Sequence, residues 1–322
     1  MRVLITGGAG FIGSHLAEYL LEKGNRVSII DNLSTGRKKN IAHLLKNENF
    51  EFFQTTIMNE PVLEDLISQN DVIYHLAAAV GVKLIIEKPV ETIETNIRGT
   101  ENVLKFANKG RKKILIASTS EVYGKLPHNK LNEQDDRQYG PTTAHRWSYA
   151  SSKAIDEFLA LAYYKEYKLP VIIARFFNTV GPRQVDQYGM VLPTFVRQAL
   201  IGKPITVFGN GKQSRSFTYV NDCVKAITGL MEKDEAIGQV FNIGNDKEIT
   251  IEDLAKQVKK LAGSNSKIVY IPYDEAYESG FEDMERRCPD NNKIKELLGY
   301  SPSKNLDEII QLTIDYYRNF DY

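Results

Sequence analysis

Six short β-branched or apolar runs recur through the first half of the chain: "RVLI" (2–5), "RVSII" (26–30), "FEFF" (50–53), "DVIYHL" (71–76), "KILIAS" (113–118) and "PVIIAR" (170–175). Longer stretches of helical periodicity fill the gaps, with Ile12, Leu16, Tyr19 and Leu20 in one and Ile93, Ile97, Val103, Leu104 and Ala107 in another. Such an alternation predicts strand–helix–strand units and a parallel sheet covered on both faces, because each helix must carry the chain back before the next strand can run the same way. The expected fold is therefore α/β, a Rossmann-type doubly wound sheet over residues 1–175. After about residue 176 the rhythm changes: "VGPR", "GKPI" and "FGNGK" punctuate the chain, and isolated helical stretches appear at 250–262 and 305–318. This predicts a smaller mixed α/β substrate-binding lobe over 176–322, with some segments returning to the first domain. No low-complexity linker and no fixed-period repeat is evident.

With 322 residues, 42% of them hydrophobic, the chain can bury a sizeable core. Lys plus Arg and Asp plus Glu both number 41, so no general charge draws the protein to nucleic acid or an anionic membrane. The two cysteines, Cys223 and Cys288, stand apart, and the five histidines show no metal spacing. Neither a disulfide framework nor a metal site is expected, and a reducing cytoplasm fits. The chain opens directly on a strand, and no window offers about 18 uncharged apolar residues, so a soluble protein without a leader is expected.

"GGAGFIG" sets Gly7, Gly10 and Gly13 three apart between the first strand and the first helix. Glycines there allow a tight turn and let backbone N–H groups, including those of Phe11 and Ile12, approach a pyrophosphate at the positive end of the helix. Asp31 follows the second strand, beside Asn32. A carboxylate at that point accepts hydrogen bonds from both ribose hydroxyls and repels a 2′-phosphate, which favours NAD over NADP. Arg37, Lys38 and Lys39 lie close by and are read as a solvated loop rather than a phosphate site.

Further motifs follow: "YHLAA" (74–78), Asn96 in "TNIRGT", the hydroxyl pair after the fifth strand, "YASSK" (149–153), "RFFNTVGP" (175–182), "FGNGKQSRSFTYVND" (208–222) and "RRCPD" (286–290). Together with the glycines they resemble the extended short-chain dehydrogenase/reductase family, whose members are nucleotide-sugar epimerases, dehydratases and decarboxylases. The resemblance implies that Leu76, Ala77, Ala78, Asn96 and Ser118 line the NAD site with Tyr149 and Lys153. Thr56 and Ile57 stand where many members carry an Asp-Ile/Val pair at the adenine. Helices near 90–109 and 149–168 resemble those that pair members into homodimers.

Tyr149 and Lys153 are four apart, on one face of a helix. A free tyrosine titrates near pH ~10, too weak a base for neutral pH. A neighbouring ammonium and a positive nicotinamide would lower that value, so that Tyr149 takes a proton from a sugar hydroxyl, with Thr119 bonded to the same hydroxyl. The resemblance implies oxidation at C4 of a hexose on a nucleoside diphosphate. A C4 ketone acidifies the C5 hydrogen and makes a C6 carboxylate a β-keto acid. Epimerisation then needs no further acid or base, decarboxylation little beyond orientation, and loss of water from C6 a base for C5 and an acid for the leaving hydroxyl.

Glu121 in the "TSE" triplet is the candidate C5 base, with Ser120 near C6; the alternative is a structural carboxylate bonded to loop amides. The triplet resembles both GDP-mannose-type 4,6-dehydratases and UDP-glucuronate decarboxylases. "RWSY" (146–149) and "SRSF" (214–217) resemble the decarboxylases, while like-charge repulsion between Glu121 and a glucuronate carboxylate tilts against them. Lys83 could offset such a carboxylate or be an exposed loop lysine. Arg215, Arg286 and Arg287 match positions that hold the diphosphate, Asn178 a substrate contact, and "PITVFGNG" the UDP-specific members, in which the backbone around Val207 pairs with the base. The expected activity is that of a UDP-hexose 4,6-dehydratase, with UDP-N-acetylglucosamine as a candidate substrate. UDP-glucuronate decarboxylase and UDP-hexose 4-epimerase are the alternatives, and a non-catalytic dinucleotide sensor is the other class.

Overall fold

The structure, a computed structural model, describes residues 1–80, 88–186, 190–276 and 284–320. Its centre is a seven-stranded sheet of β1 (Arg2–Thr6), β2 (Arg26–Ile30), β3 (Phe50–Phe53), β4 (Val72–His75), β5 (Lys113–Thr119), β6 (Val171–Phe176) and β7 (Gln239–Ile243), in the order β7-β6-β5-β4-β1-β2-β3. Every neighbouring pair is parallel. The six runs expected as strands all enter this sheet. The seventh, "QVFNI", lies well inside the expected lobe, and pairing with β6 alone reveals it.

Alternation along the strands builds two cores. Val3, Ile5, Val27, Ile29, Leu115 and Ile172 face one side, with Leu16 and Leu20 of α1 (Phe11–Glu22) and Val224 and Ile227 of the helix Val220–Met231. Leu4, Ile30, Ile114, Ile116, Val171 and Ile173 face the other. There they meet α2 (Glu60–Gln69), α3 (Pro89–Lys109) and α4 (Arg146–Tyr167). Successive side chains of a strand point to opposite faces, so a run with no polar alternation is what a doubly covered sheet demands.

The lobe has its own core, in which Phe195 and Val196 of the helix Val191–Leu200 pack with Val207, Leu254, Val258, Ile310 and Ile314. The helix Val220–Met231 and β7 return from it to the main sheet. Because β1 pairs with β2 on one side and β4 on the other, the sheet reverses its direction of growth there. In folds of this kind the crevice at the carboxyl ends of such strands is the ligand position. Among the described residues no helix is long and apolar enough to cross a membrane, and no cluster of three metal-ligating side chains occurs.

Candidate active site

At the end of β1 the chain turns through Gly7, whose φ is +72° and where an added Cβ would stand 2.8 Å from the Ala77 amide nitrogen. At Gly13 a Cβ would stand 2.2 Å from the Gly7 carbonyl oxygen, so neither position takes a side chain without moving backbone. Gly10 caps α1 without a side chain. The first bond of the helix runs from the Ser14 amide to the Gly10 carbonyl at 3.0 Å, which leaves the amides of Phe11, Ile12 and Gly13 facing the crevice end of the helix. Asp31 is buried after β2, its carboxylate accepting from the Ala9 amide at 2.9 Å and the Leu33 amide at 2.8 Å. Burial pushes its pKa up while those amides oppose the shift. Its carboxylate thus shapes the glycine turn itself. Asn32 is exposed and accepts from the Ser34 amide at 3.0 Å; Lys38 and Lys39 are exposed as well.

After β4, the Leu76 amide donates to the Thr6 carbonyl at 3.1 Å and the Ala77 amide to the Thr6 hydroxyl at 3.2 Å. Ala78 follows half-buried. Asn96 pins the next residue: its Oδ1 accepts from the Ala79 amide at 2.8 Å, and its Nδ2 donates to the Ala79 carbonyl at 3.3 Å and the Ser152 hydroxyl at 3.2 Å. Ser118 donates to Glu157, which in turn holds Arg175 through a fork of 2.9 and 2.7 Å bonds. Both Asn96 and Ser118, expected as cofactor contacts, have these polar atoms engaged by the protein and fasten the frame of the crevice. Lys83 lies outside the described residues.

Thr119 ends β5 and caps the short turn Ser120–Tyr123, its hydroxyl accepting from the Glu121 amide at 3.2 Å. The same hydroxyl is bonded to Tyr149, which sits buried in the first turn of α4. Burial raises the Tyr149 phenol well above its ordinary range, the charges of Glu121 and Asp156 add to this, and Thr119 and Arg287 oppose it. Lys153 was to lower that phenol, but its Nζ donates to Asp156 Oδ2 at 2.6 Å, so its charge is met on its own helix. Asp156 escaped the sequence reading, although an acid three residues after a lysine was there to be seen.

Glu121 meets two guanidinium groups. Its Oε1 lies 2.6 Å from an Arg287 guanidinium nitrogen and its Oε2 3.4 Å from one of Arg146. All three side chains are largely buried, and both Glu121 and Arg287 act on Tyr149 electrostatically, so the cluster adjoins the phenol. One carboxylate thus faces two guanidinium groups. Arg287 also donates to Asn178 Oδ1 at 3.4 Å, and Asn178 Nδ2 to the Ser216 carbonyl at 2.8 Å. The two neighbouring arginines, expected together on a diphosphate, therefore part: Arg286 turns outward to Glu248 and to Asn129 Oδ1 at 2.6 Å. Arg215 is buried and donates to the Ser214 carbonyl at 2.7 Å. Ser120 is buried with no hydrogen-bond partner for its hydroxyl among the described residues, and the Val207 side chain lies in the lobe core, leaving only its backbone to a ligand. Arg146, Asn129 and Glu248 were not singled out from sequence, since nothing local marks which charges the fold brings together.

The model of the GDP-mannose 4,6-dehydratase family matches residues 4–313. A UDP-N-acetyl-α-D-glucosaminuronate decarboxylase of Bacillus cytotoxicus is 44% identical, over 99% of this chain and 98% of that one. UDP-glucuronic acid decarboxylase 1 of Xenopus tropicalis is 39% identical, over 98% of this chain and 72% of that one. Among solved structures, the UDP-glucuronic acid 4-epimerase of Bacillus cereus, in complex with UDP-glucuronic acid and NAD, superposes with a TM-score of 0.89 at 31% identity, covering 99% of each chain. Fold and sequence together define a nucleotide-sugar enzyme of the extended short-chain dehydrogenase/reductase class. The chain belongs to its GDP-mannose 4,6-dehydratase family, in the group of NAD-dependent epimerases, dehydratases and decarboxylases.

Proposed function

We propose that the protein decarboxylates a UDP-hexuronate, of the UDP-N-acetylglucosaminuronate or UDP-glucuronate type, and that it does so with NAD. The observation that carries this reading is Glu121 held between Arg146 and Arg287. A base for C5 needs an available lone pair, and here guanidinium N–H groups compete for those of Glu121. Guanidinium forks match carboxylate oxygens, so Arg146 and Arg287 suit a ligand that brings a carboxylate. The repulsion argument that favoured a dehydratase thus loses its basis, and the relatives named above support the change.

The residues present fit NAD: the turn at Gly7 and Gly13 has no room for a Cβ, the α1 amides suit its pyrophosphate, and Asp31 suits its ribose. When bound, NAD would supply a reversible hydride acceptor for C4 of the sugar. Tyr149 takes the proton of the C4 hydroxyl and gives it back at the end, with Thr119 steadying the same oxygen. Arg287 and Arg146 receive the C6 carboxylate and orient the C5–C6 bond. Once C4 is a ketone, that bond breaks, carbon dioxide leaves, and C5 gains a proton. Arg215 and Arg286 serve the diphosphate and the backbone at Val207 the base, with the nucleotide sugar on the lobe and the cofactor on the sheet.

Val90 and Ile93 of α3 and Ile155 and Phe158 of α4 are exposed apolar residues, Val90 at 69% and Phe158 at 56%. Their spacing of three on each helix supports a homodimer built on these two helices, which size-exclusion chromatography with light scattering tests.

Incubation with UDP-glucuronate, UDP-N-acetylglucosaminuronate and UDP-N-acetylglucosamine, each read by mass spectrometry, tests the activity. Loss of carbon dioxide from a uronate, with one deuterium retained from heavy water, is expected. Loss of water from the neutral sugar restores the dehydratase, and an isomer of unchanged mass makes the protein a 4-epimerase.

A further inference from the structure

The ion pair within α4 is the unassigned feature closest to the chemistry. Lys153 is 2% exposed and Asp156 1%, and the bond between them is short at 2.6 Å. A buried ammonium needs a counter-charge, and a buried carboxylate is costly without one. Groups from every surrounding element face this pair. From β4 comes His75, its pKa held down to about 3 by burial and by the Lys153 charge, and therefore neutral. The His75 ring bridges the hydroxyls of Thr6 at 2.7 Å and Thr100 of α3 at 3.0 Å, and Thr100 also faces Asp156. From α4, Glu157 adds a negative charge that Arg175 of β6 occupies. On the crevice side Tyr149 meets Thr119 of β5, Glu121 and Arg287. Among the described residues no acid other than Asp156 is bonded to Lys153.

The consequence is electrostatic. Lys153 alone would present Tyr149 with a positive charge; the Asp156 carboxylate bonded to it opposes that charge and raises the Tyr149 phenol. We infer that Asp156 is a positioning residue, which anchors the Lys153 ammonium one turn along α4 and cancels its field at Tyr149. The phenol then stays a hydrogen-bond donor in the ligand-free protein, and the positive charge that arrives with the oxidised cofactor decides when it gives up its proton. This rests on the proposed role of Tyr149.

Ultraviolet difference titration of phenolate, with Tyr149→Phe as the blank, reads Tyr149 directly and without turnover, in cofactor-free and NAD-loaded protein. Asp156→Asn keeps the shape and removes the charge, so the Tyr149 phenolate is expected at lower pH by about one unit, with the rising limb of kcat against pH moving the same way. Asp156→Glu retains the charge and the wild-type curve. Lys153→Gln leaves Asp156 unopposed and moves phenolate to higher pH, and Lys153→Gln with Asp156→Asn returns it near wild type, which closes a double-mutant cycle. If Asp156→Asn does not fold, the double variant, which leaves no unpaired buried charge, and Lys153→Gln still decide the matter. Coincident curves for wild type and Asp156→Asn overturn the inference, as does a Glu variant that shifts like the Asn variant or a double variant that fails to return. Failure of the underlying reading looks different: Tyr149→Phe would then keep its turnover.

Discussion

Replacing Arg287 by Gln separates a carboxylate receptor from an arginine that merely braces the lobe. In the structure its fork reaches Glu121 at 2.6 Å and Asn178 at 3.4 Å, while Arg146 holds the other Glu121 oxygen only at 3.4 Å. Hydrogen bonds to charged groups contribute about 1.5–3 kcal/mol each. A substrate carboxylate deprived of that partner should bind about ten- to 150-fold more weakly. Glu121 shares the guanidinium in the free protein, which offsets part of the loss, so the lower end is expected. Calorimetric titration of the NAD-loaded protein with UDP-glucuronate and with UDP-glucose reads the effect, and the discriminating quantity is the ratio of the two. The Gln variant should weaken UDP-glucuronate tenfold or more and change UDP-glucose by less than about threefold, and Arg287→Lys should restore part of the difference, having charge without the fork. Equal weakening of both ligands would refute the carboxylate role and return Arg287 to general support of the nucleotide.

Tyr149→Phe should lower kcat by about a hundred- to ten-thousandfold while leaving bound NAD in place, as measured by turnover and by cofactor released on denaturation. Gly13→Ala should abolish NAD retention, because its methyl would stand 2.2 Å from the Gly7 carbonyl oxygen; calorimetry with NAD checks this. Stability should fall in acid. Burial holds His15 down to about 4 and His75 to about 3, so below their ordinary 6.5 the unfolded chain binds protons that the folded chain refuses. The stability is fully present above that value and declines as pH drops toward the folded values, by about 2 kcal/mol per histidine between pH ~6.5 and ~5. Urea unfolding at several pH values measures the slope, and His75→Gln should flatten it.

What was legible in the sequence is what local chemistry dictates. Uninterrupted apolar runs with helical stretches between them admit little except a doubly covered parallel sheet, and the strands expected at 26–30 and 50–53 end where the structure ends them. Gly7 and Gly13 were readable because a turn without room for Cβ must write glycine. Tyr149 and Lys153 share a helix face by spacing alone. Contacts between distant segments were not legible. β7 is recognised only by its pairing with β6, since a short buried strand carries no mark of the sheet it joins. Arg286 and Arg287 are neighbours in sequence, yet one turns to Glu248 and the other to Glu121, and their adjacency carries no mark of this. The guanidinium groups beside Glu121 come from the start of α4 and from a segment near the end of the chain, so what faces that carboxylate belongs to the tertiary structure. Asp156 lies between these cases: its spacing from Lys153 was visible, but the burial that gives the pair its force was not, because whether a charge is dry depends on everything packed around it.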